Sequence, residues 1–281
     1  MSVLLHLSDT HFGTEQPPVV EALVAFAAAL RPDVVVLSGD ITQRARPAQF
    51  RAAKAFVERL GVPVLAIPGN HDIALFDLWA RLTKPYERFA TAFGADLEPV
   101  YRSPDWLVVG VNTTRAWRHK QGEVSSAQRA RVASLLAAAS PAQLRVVVVH
   151  QPAAVPHASE RGNLLRGHAE ATSLWAQAGA DLVLGGHIHL PYTLPLTGLA
   201  RRLCVAQAGT AVSSRTRPGV PNSVNVLRWQ TDAEFAPPPA LEGLHTSARC
   251  LIEQWDFVAS QGTFVCANVT AVHPERSQAV G

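Results

Sequence analysis

Six short aliphatic runs, each stopping at a polar or glycine residue, constrain this chain more than anything else in it. They occupy residues 3–7, 34–37, 64–67, 107–111, 146–149 and 182–184. Their apolar residues are continuous rather than alternating, as in strands covered on both faces. Helical spacing fills the gaps at 19–30, closed by Arg31-Pro32, and at 47–60, with Pro47 in first position and Gly61 just beyond the end. It recurs at 125–139, opened by the capping-box pattern Ser125-Ser126-Ala127-Gln128, and at 170–178, closed by Gly179. Strand and helix in alternation predict an α/β sheet with crossover helices. After residue 190 the helices drop out, and 203–206, 224–227 and 251–257 read as strands between turns. We therefore expect one domain over 1–281, divided into a core of 1–190 and a mainly β remainder at 191–281 that supplies second-sheet strands and a C-terminal extension. The strands of 191–270 should be mostly antiparallel and packed against the first sheet, with a proline-stiffened loop at 235–240.

Bulk properties exclude several classes. Hydrophobic residues make up 48% and charged residues 17%, which fits a globular chain and not a disordered one. A formal charge of +3 with no long Lys/Arg block argues against a nucleic-acid partner, although it favours the approach of small anions. Cys204, Cys250 and Cys266 form no paired motif and read as small apolar side chains. The opening run reaches polar Ser8-Asp9 too soon to be an export signal, and no apolar stretch is long enough to span a bilayer. A cytoplasmic protein without a membrane partner is expected.

The residues that end the runs are chemically unusual. They are Ser8-Asp9-Thr10-His11, Ser38-Gly39-Asp40, Pro68-Gly69-Asn70-His71-Asp72, Asn112-Thr113, His150-Gln151-Pro152 and Gly185-Gly186-His187-Ile188-His189. Ligands of open α/β sheets bind beyond the carboxyl ends of strands, so these segments should converge. Asp9 and His11, like His187 and His189, are two apart and would share a face in locally extended backbone. So many buried polar groups without a metal would leave costly unpaired donors and charges. Seven donors suit two ions sharing a carboxylate. One ion would take Asp9, His11, Asp40 and His189, and the other Asp40, Asn70, His150 and His187. Mixed oxygen and nitrogen donors favour two divalent ions drawn from Mn, Fe, Zn or Co, with Mg a poorer match.

The ordered set Asp9-x-His11, Gly39-Asp40, Gly69-Asn70-His71-Asp72, His150 and Gly186-His187-x-His189 resembles the calcineurin-like metallophosphoesterase superfamily. The resemblance implies a four-layer α-β-β-α sandwich, two mixed sheets flanked by helices. Gly209-Thr210, Arg215, Arg217 and Pro221-Asn222-Ser223-Val224-Asn225 are similar to the class III cyclic-nucleotide phosphodiesterase branch. Relatives in that branch commonly pair, so a homodimer is a further expectation. Many of them carry two consecutive histidines where this chain has His150-Gln151, a pair also similar to nuclease members.

Such a centre implies a phosphodiesterase for small diesters, 3′,5′-cyclic nucleotides among them, acting by in-line attack of a metal-bridging hydroxide. His71 diverges from Asn70 and is expected as general acid or charge stabiliser. Asp72 is expected to orient His71, or else to cap a helix over 73–79. Tyr86, Trp117, Arg118, His119 and Lys120 could form a substrate wall. The alternatives are a nuclease or phosphomonoesterase of the same superfamily, and a non-catalytic protein-binding scaffold.

Overall fold

A computed structural model describes residues 1–75, 77–230 and 249–275. The expected loop at 235–240 lies outside the described residues. Among the described residues, twelve strands and six α-helices appear in the order β1 (Ser2–Leu7), α1 (Pro17–Leu30), β2 (Val34–Leu37), α2 (Pro47–Leu60), β3 (Val64–Ala66), α3 (Leu78–Thr83), α4 (Glu87–Phe93), β4 (Val100–Arg102) and β5 (Trp106–Gly110). They continue with α5 (Ser126–Ala137), β6 (Leu144–Val148), α6 (His168–Gln177), β7 (Leu182–Gly185), β8 (Tyr192–Leu196), β9 (Leu203–Gln207), β10 (Ser223–Gln230), β11 (Arg249–Val258) and β12 (Thr263–Val272).

The strands form two mixed sheets, ordered β12-β11-β10-β1-β2-β3 and β4-β5-β6-β7-β9-β8. Their facing sides meet in one apolar layer. Leu4, Val34, Val36 and Ile67 of the first sheet pack with Trp106, Val146, Leu182 and Leu184 of the second. Leu23, Phe50, Phe56 and Phe89 from α1, α2 and α4 cover the outer side of the first sheet. Val132, Leu136, Trp175 and Ala176 from α5 and α6 cover the second. The central strands are thus buried on both sides, which is why their sequences are mainly Val and Leu. The result is the α-β-β-α sandwich.

Among the described residues after 190, four of the five strand pairings are antiparallel, and the parallel one lies in the second sheet. β9 pairs in parallel with β7 and extends the second sheet, with β8 antiparallel at the edge. Only β10, β11 and β12 form the antiparallel extension of the first sheet, entering it beside β1. Cys204 and Cys250 are buried as expected, whereas Cys266 is exposed. No helix among the described residues is long and apolar enough to cross a membrane.

Candidate metal centre

The two sheets present their carboxyl ends to one cleft. Asp9 and His11 follow β1, Asp40 follows β2 and Asn70 follows β3. From the second sheet, His150 follows β6, while His187 and His189 follow β7. Two groups of donor atoms result, Asp9 with His11 and His189, and Asp40 with His150 and His187, each within 4.8 Å of one another.

In the first group the Nε2 atoms of His11 and His189 face each other at 3.2 Å. Asp9 Oδ1 lies 3.2 Å from His189 Nε2 and 3.7 Å from His11 Nε2, so three donors converge on one point. In the second, His150 Nε2 is 3.3 Å from Asp40 Oδ1. The other oxygen, Asp40 Oδ2, is 3.9 Å from His11 Nε2, which places one carboxylate between both groups. Asn70 Oδ1 and both ring nitrogens of His187 are buried without any hydrogen-bond partner. Such atoms are costly in a folded interior unless something pairs with them. Their position beside two carboxylates and four imidazoles fits a pair of divalent cations.

The outer ring nitrogens are held by carbonyls. His150 Nδ1 donates to the Ser38 carbonyl at 2.8 Å, and His189 Nδ1 donates to the Arg215 carbonyl. This fixes the tautomer that leaves Nε2 free to ligate. Asp9 also accepts from the His187 backbone N–H at 2.9 Å, tying the first sheet's ligand loop to the second's.

The backbone here corrects one expectation. Asp9, His11, Asp40, His187 and His189 are not extended; all five have positive φ, between 43° and 74°. Left-handed backbone is sparsely populated for residues with a Cβ and costs roughly 1–3 kcal/mol each. It aims these side chains into the cleft just past the last ladder bonds, where Asp9 N–H donates to the Gly39 carbonyl and His11 N–H to the Asp40 carbonyl. Gly186 makes the close approach possible, because a Cβ there would overlap Ser8 Oγ and Asp9 Oδ2.

Burial dominates the electrostatics. It lowers His11 and His187 to pKa values of about 3, against the raising effect of Asp40 and Asp9. At His150 burial also acts downward, but the Asp40 charge and hydrogen bond, with Asp9, raise the pKa to about 9. Burial acts upward on Asp9 and Asp40, yet the neighbouring histidines hold both carboxyls below the usual range.

His71 sits at the rim, on a short 3-10 turn, Asn70–Asp72. Its Nδ1 is 2.9 Å from the Gln43 carbonyl, and its Nε2 is 3.3 Å from Arg215 Nη1. Asp72 therefore does not orient His71, contrary to expectation. Its carboxylate turns inward to accept from the N–H groups of Ile41, Thr42 and Gly69 at 2.8–3.0 Å, pinning the second and third ligand loops together. Burial, then the Asp40 charge, raises its pKa to about 6 against those N–H bonds. Nor does Asp72 cap a helix: α3 begins later, and Asp77 accepts from Ala80 N–H at 3.0 Å.

The cleft holds about 340 Å³ and is lined by Asp40, Asn70, His71, His187, His189, His119, Lys120, Arg215 and Arg217 among others. Of the expected wall, His119 and Lys120 reach it, while Trp117 and Arg118 line an adjoining depression. Tyr86 lines neither; its hydroxyl bonds Thr114. The contact of Arg215 with His71 had no local signal, since 144 residues separate them.

Comparison with known proteins places these features among relatives. The model of the calcineurin-like phosphoesterase family matches residues 2–191. The cAMP/cGMP dual specificity phosphodiesterase of Mycobacterium tuberculosis is 26% identical over 238 residues, 76% of this chain and 71% of the relative. Glycerophosphodiester phosphodiesterase GpdQ of Enterobacter lignolyticus is 36% identical over 81 residues, which cover 25% of this chain and only 29% of that protein. Among solved structures, a purple acid phosphatase from yellow lupin superposes with a TM-score of 0.69 at 13% identity. That likeness covers 97% of this chain and about half, 53%, of the lupin chain, and concerns the fold.

Proposed function

The chain belongs to the calcineurin-like phosphoesterase family, and from that premise we propose that it is a metal-dependent hydrolase of small phosphodiesters, with 3′,5′-cyclic nucleotides as first candidates. One observation carries this reading: two three-donor groups, Asp9 with His11 and His189 and Asp40 with His150 and His187, meet at a single cleft lined by Asp40, His187 and His189. The relative that matches most of this chain is named a cyclic-nucleotide phosphodiesterase, which supports the choice of substrate.

Asp9, His11, Asp40 and His189 would hold one divalent ion, and Asp40, Asn70, His150 and His187 the other. Such ions, when bound, generate a nucleophile from water at neutral pH and neutralise the phosphoryl oxygens. Asn70 adds an amide oxygen without adding negative charge to a site that receives an anion. His71 and Arg215 face the cleft from the rim. With Nδ1–H engaged by the Gln43 carbonyl, His71 presents Nε2, and in its protonated form donates there to the departing alkoxide. Arg215, which also reaches Gln43 Oε1 at 3.0 Å, offers a second donor to the same oxygen.

A second reading, a glycerophosphodiester as substrate, is favoured by the shorter match to GpdQ. A panel decides between them: cyclic AMP, cyclic GMP, 2′,3′-cyclic AMP, glycerophosphocholine, AMP and single-stranded DNA, each with Mn²⁺. Turnover of a cyclic nucleotide well above the rest supports the proposal. Cleavage of DNA or AMP alone replaces it with the nuclease or phosphomonoesterase alternative, and no turnover of any phosphoester leaves the scaffold alternative.

A further inference from the structure

The loop at 113–122 contributes His119 and Lys120 to the lining of the cleft and is anchored by a side chain that the two donor groups do not use. Gln151 follows His150 and is completely buried. Its Oε1 accepts from Thr113 Oγ1 at 2.6 Å, and its Nε2 donates to the Lys120 carbonyl at 3.3 Å. Gly122 lies against the same amide, and a Cβ there would overlap it. One side chain thus holds both ends of the loop on the strand end that carries His150.

The loop delivers Lys120 to the cleft beside His187. Among the described residues the Lys120 ammonium makes no ion pair or hydrogen bond. Glu160 is near but already engaged, accepting from Arg217 Nη2 at 2.6 Å and from Asn163 Nδ2 at 2.7 Å. The cleft therefore has more positive charge than a singly charged phosphodiester requires. Two divalent ions set against Asp9 and Asp40 leave a surplus that the nucleophile and one diester anion together offset. Arg215 adds a cation at the His11 and His71 end. Lys120 adds another at the His187 end, where the cleft opens into a depression of about 650 Å³ shared with His119, Asn163 and exposed Trp117.

We propose that Lys120, positioned by Gln151, forms a subsite for a second anionic group, a carboxylate or phosphate, carried on the non-leaving arm of the substrate. Open-chain phosphodiesters that bear an additional negative charge should then bind more tightly than those without one, with the charged arm extending toward Trp117. The naming of that arm rests on the phosphodiesterase reading; the anion subsite itself is tested without turnover.

Propylphosphonate and 3-phosphonopropionate differ by a terminal methyl against a terminal carboxylate. Each is titrated calorimetrically into the Mn²⁺-loaded protein, with metal content measured before and after. The wild type should bind the carboxylate-bearing ligand about tenfold more tightly, the contribution of one charge-assisted contact. Lys120→Ala should reduce that preference to about twofold or less, and Lys120→Arg should restore it. Gln151→Leu with its metal retained should also lose the preference, as a positioning residue would. Equal affinity of the two phosphonates for the wild type overturns the proposal, as does a preference that survives Lys120→Ala. If bis(p-nitrophenyl) phosphate is not hydrolysed by the wild type, the phosphodiesterase reading fails while the affinity ratio still decides the subsite.

Discussion

Asp40 lies between the two donor groups, one carboxylate oxygen 3.9 Å from His11 Nε2 and the other 3.3 Å from His150 Nε2, the placement a bridging carboxylate would need. Asp9→Ala should therefore leave about one ion per chain, whereas Asp40→Ala should leave about none, as plasma mass spectrometry of dialysed protein would report. Equal residual metal in the two variants would remove Asp40 from the bridging position. His71 lies outside both groups, so His71→Ala should lower kcat roughly 10²–10⁴-fold with both ions retained; loss of an ion would make it a ligand instead. The pH dependence of metal uptake follows from His150. Its metal-free pKa of about 9 means it is protonated at neutral pH, and a ligating imidazole must be neutral. Metal binding at pH 7 should therefore release at least about one proton, and affinity should rise with pH up to about 9 and level off above it. Calorimetry in two buffers of different ionisation enthalpy measures that proton; its absence would contradict the assignment. The strand-end histidines and aspartates were legible in the sequence because each interrupts an aliphatic run at its carboxyl end. The Gln43 carbonyl on His71 was not, because a backbone acceptor leaves no trace in residue identity. Left-handed φ at the ligands escaped for the same reason, since Asp and His adopt it only when tertiary contacts impose it.

Local signals of different strength decide which elements can be read in advance. α5 announces itself: Ser125 Oγ accepts from Gln128 N–H at 3.2 Å, and Gln128 Oε1 accepts from Ser125 N–H at 3.0 Å. Gln128 Nε2 also reaches the Asn112 carbonyl at 2.8 Å, so the cap supports the loop that leaves β5. Ser125→Ala should destabilise the protein by about 1 kcal/mol, a fall in Tm of about 2–4 °C at this size. A Tm within error of the wild type would mean the cap contributes nothing to global stability. Pro47 and Gly61 bound α2 in the same readable way, with Gly61 in the left-handed conformation at φ 67°. α3 and α4 are only 6 and 7 residues long, too short for helical periodicity to emerge from their sequences. β4, β8 and β12 sit at sheet edges, where partial exposure breaks the continuous aliphatic pattern that marks the central strands. The parallel pairing of β9 with β7 was hidden because the intervening β8 hairpin carries no helix to signal a crossover.

Across the whole molecule, the donor set joins two sheets that otherwise meet through an apolar layer. Asp9, His11, Asp40 and Asn70 belong to one sheet, and His150, His187 and His189 to the other. The unfolded chain cannot bring these segments together, so ions held by this donor set would stabilise the native state by mass action. At free metal about 100-fold above Kd, the gain for one site is about 2.7 kcal/mol, and chelation removes it. Where the gain appears tests the architecture more closely than its size. Ions held between sheets should slow amide hydrogen exchange at the carboxyl ends of β1, β2 and β3 and equally at those of β6 and β7. An ion held within one sheet would protect that sheet's strand ends alone. Asp40→Ala should abolish protection on both sides, because without the shared carboxylate neither sheet completes its half of the centre. Protection confined to one sheet in the wild type would mean that the cleft separates two independent donor clusters rather than closing around one reaction centre.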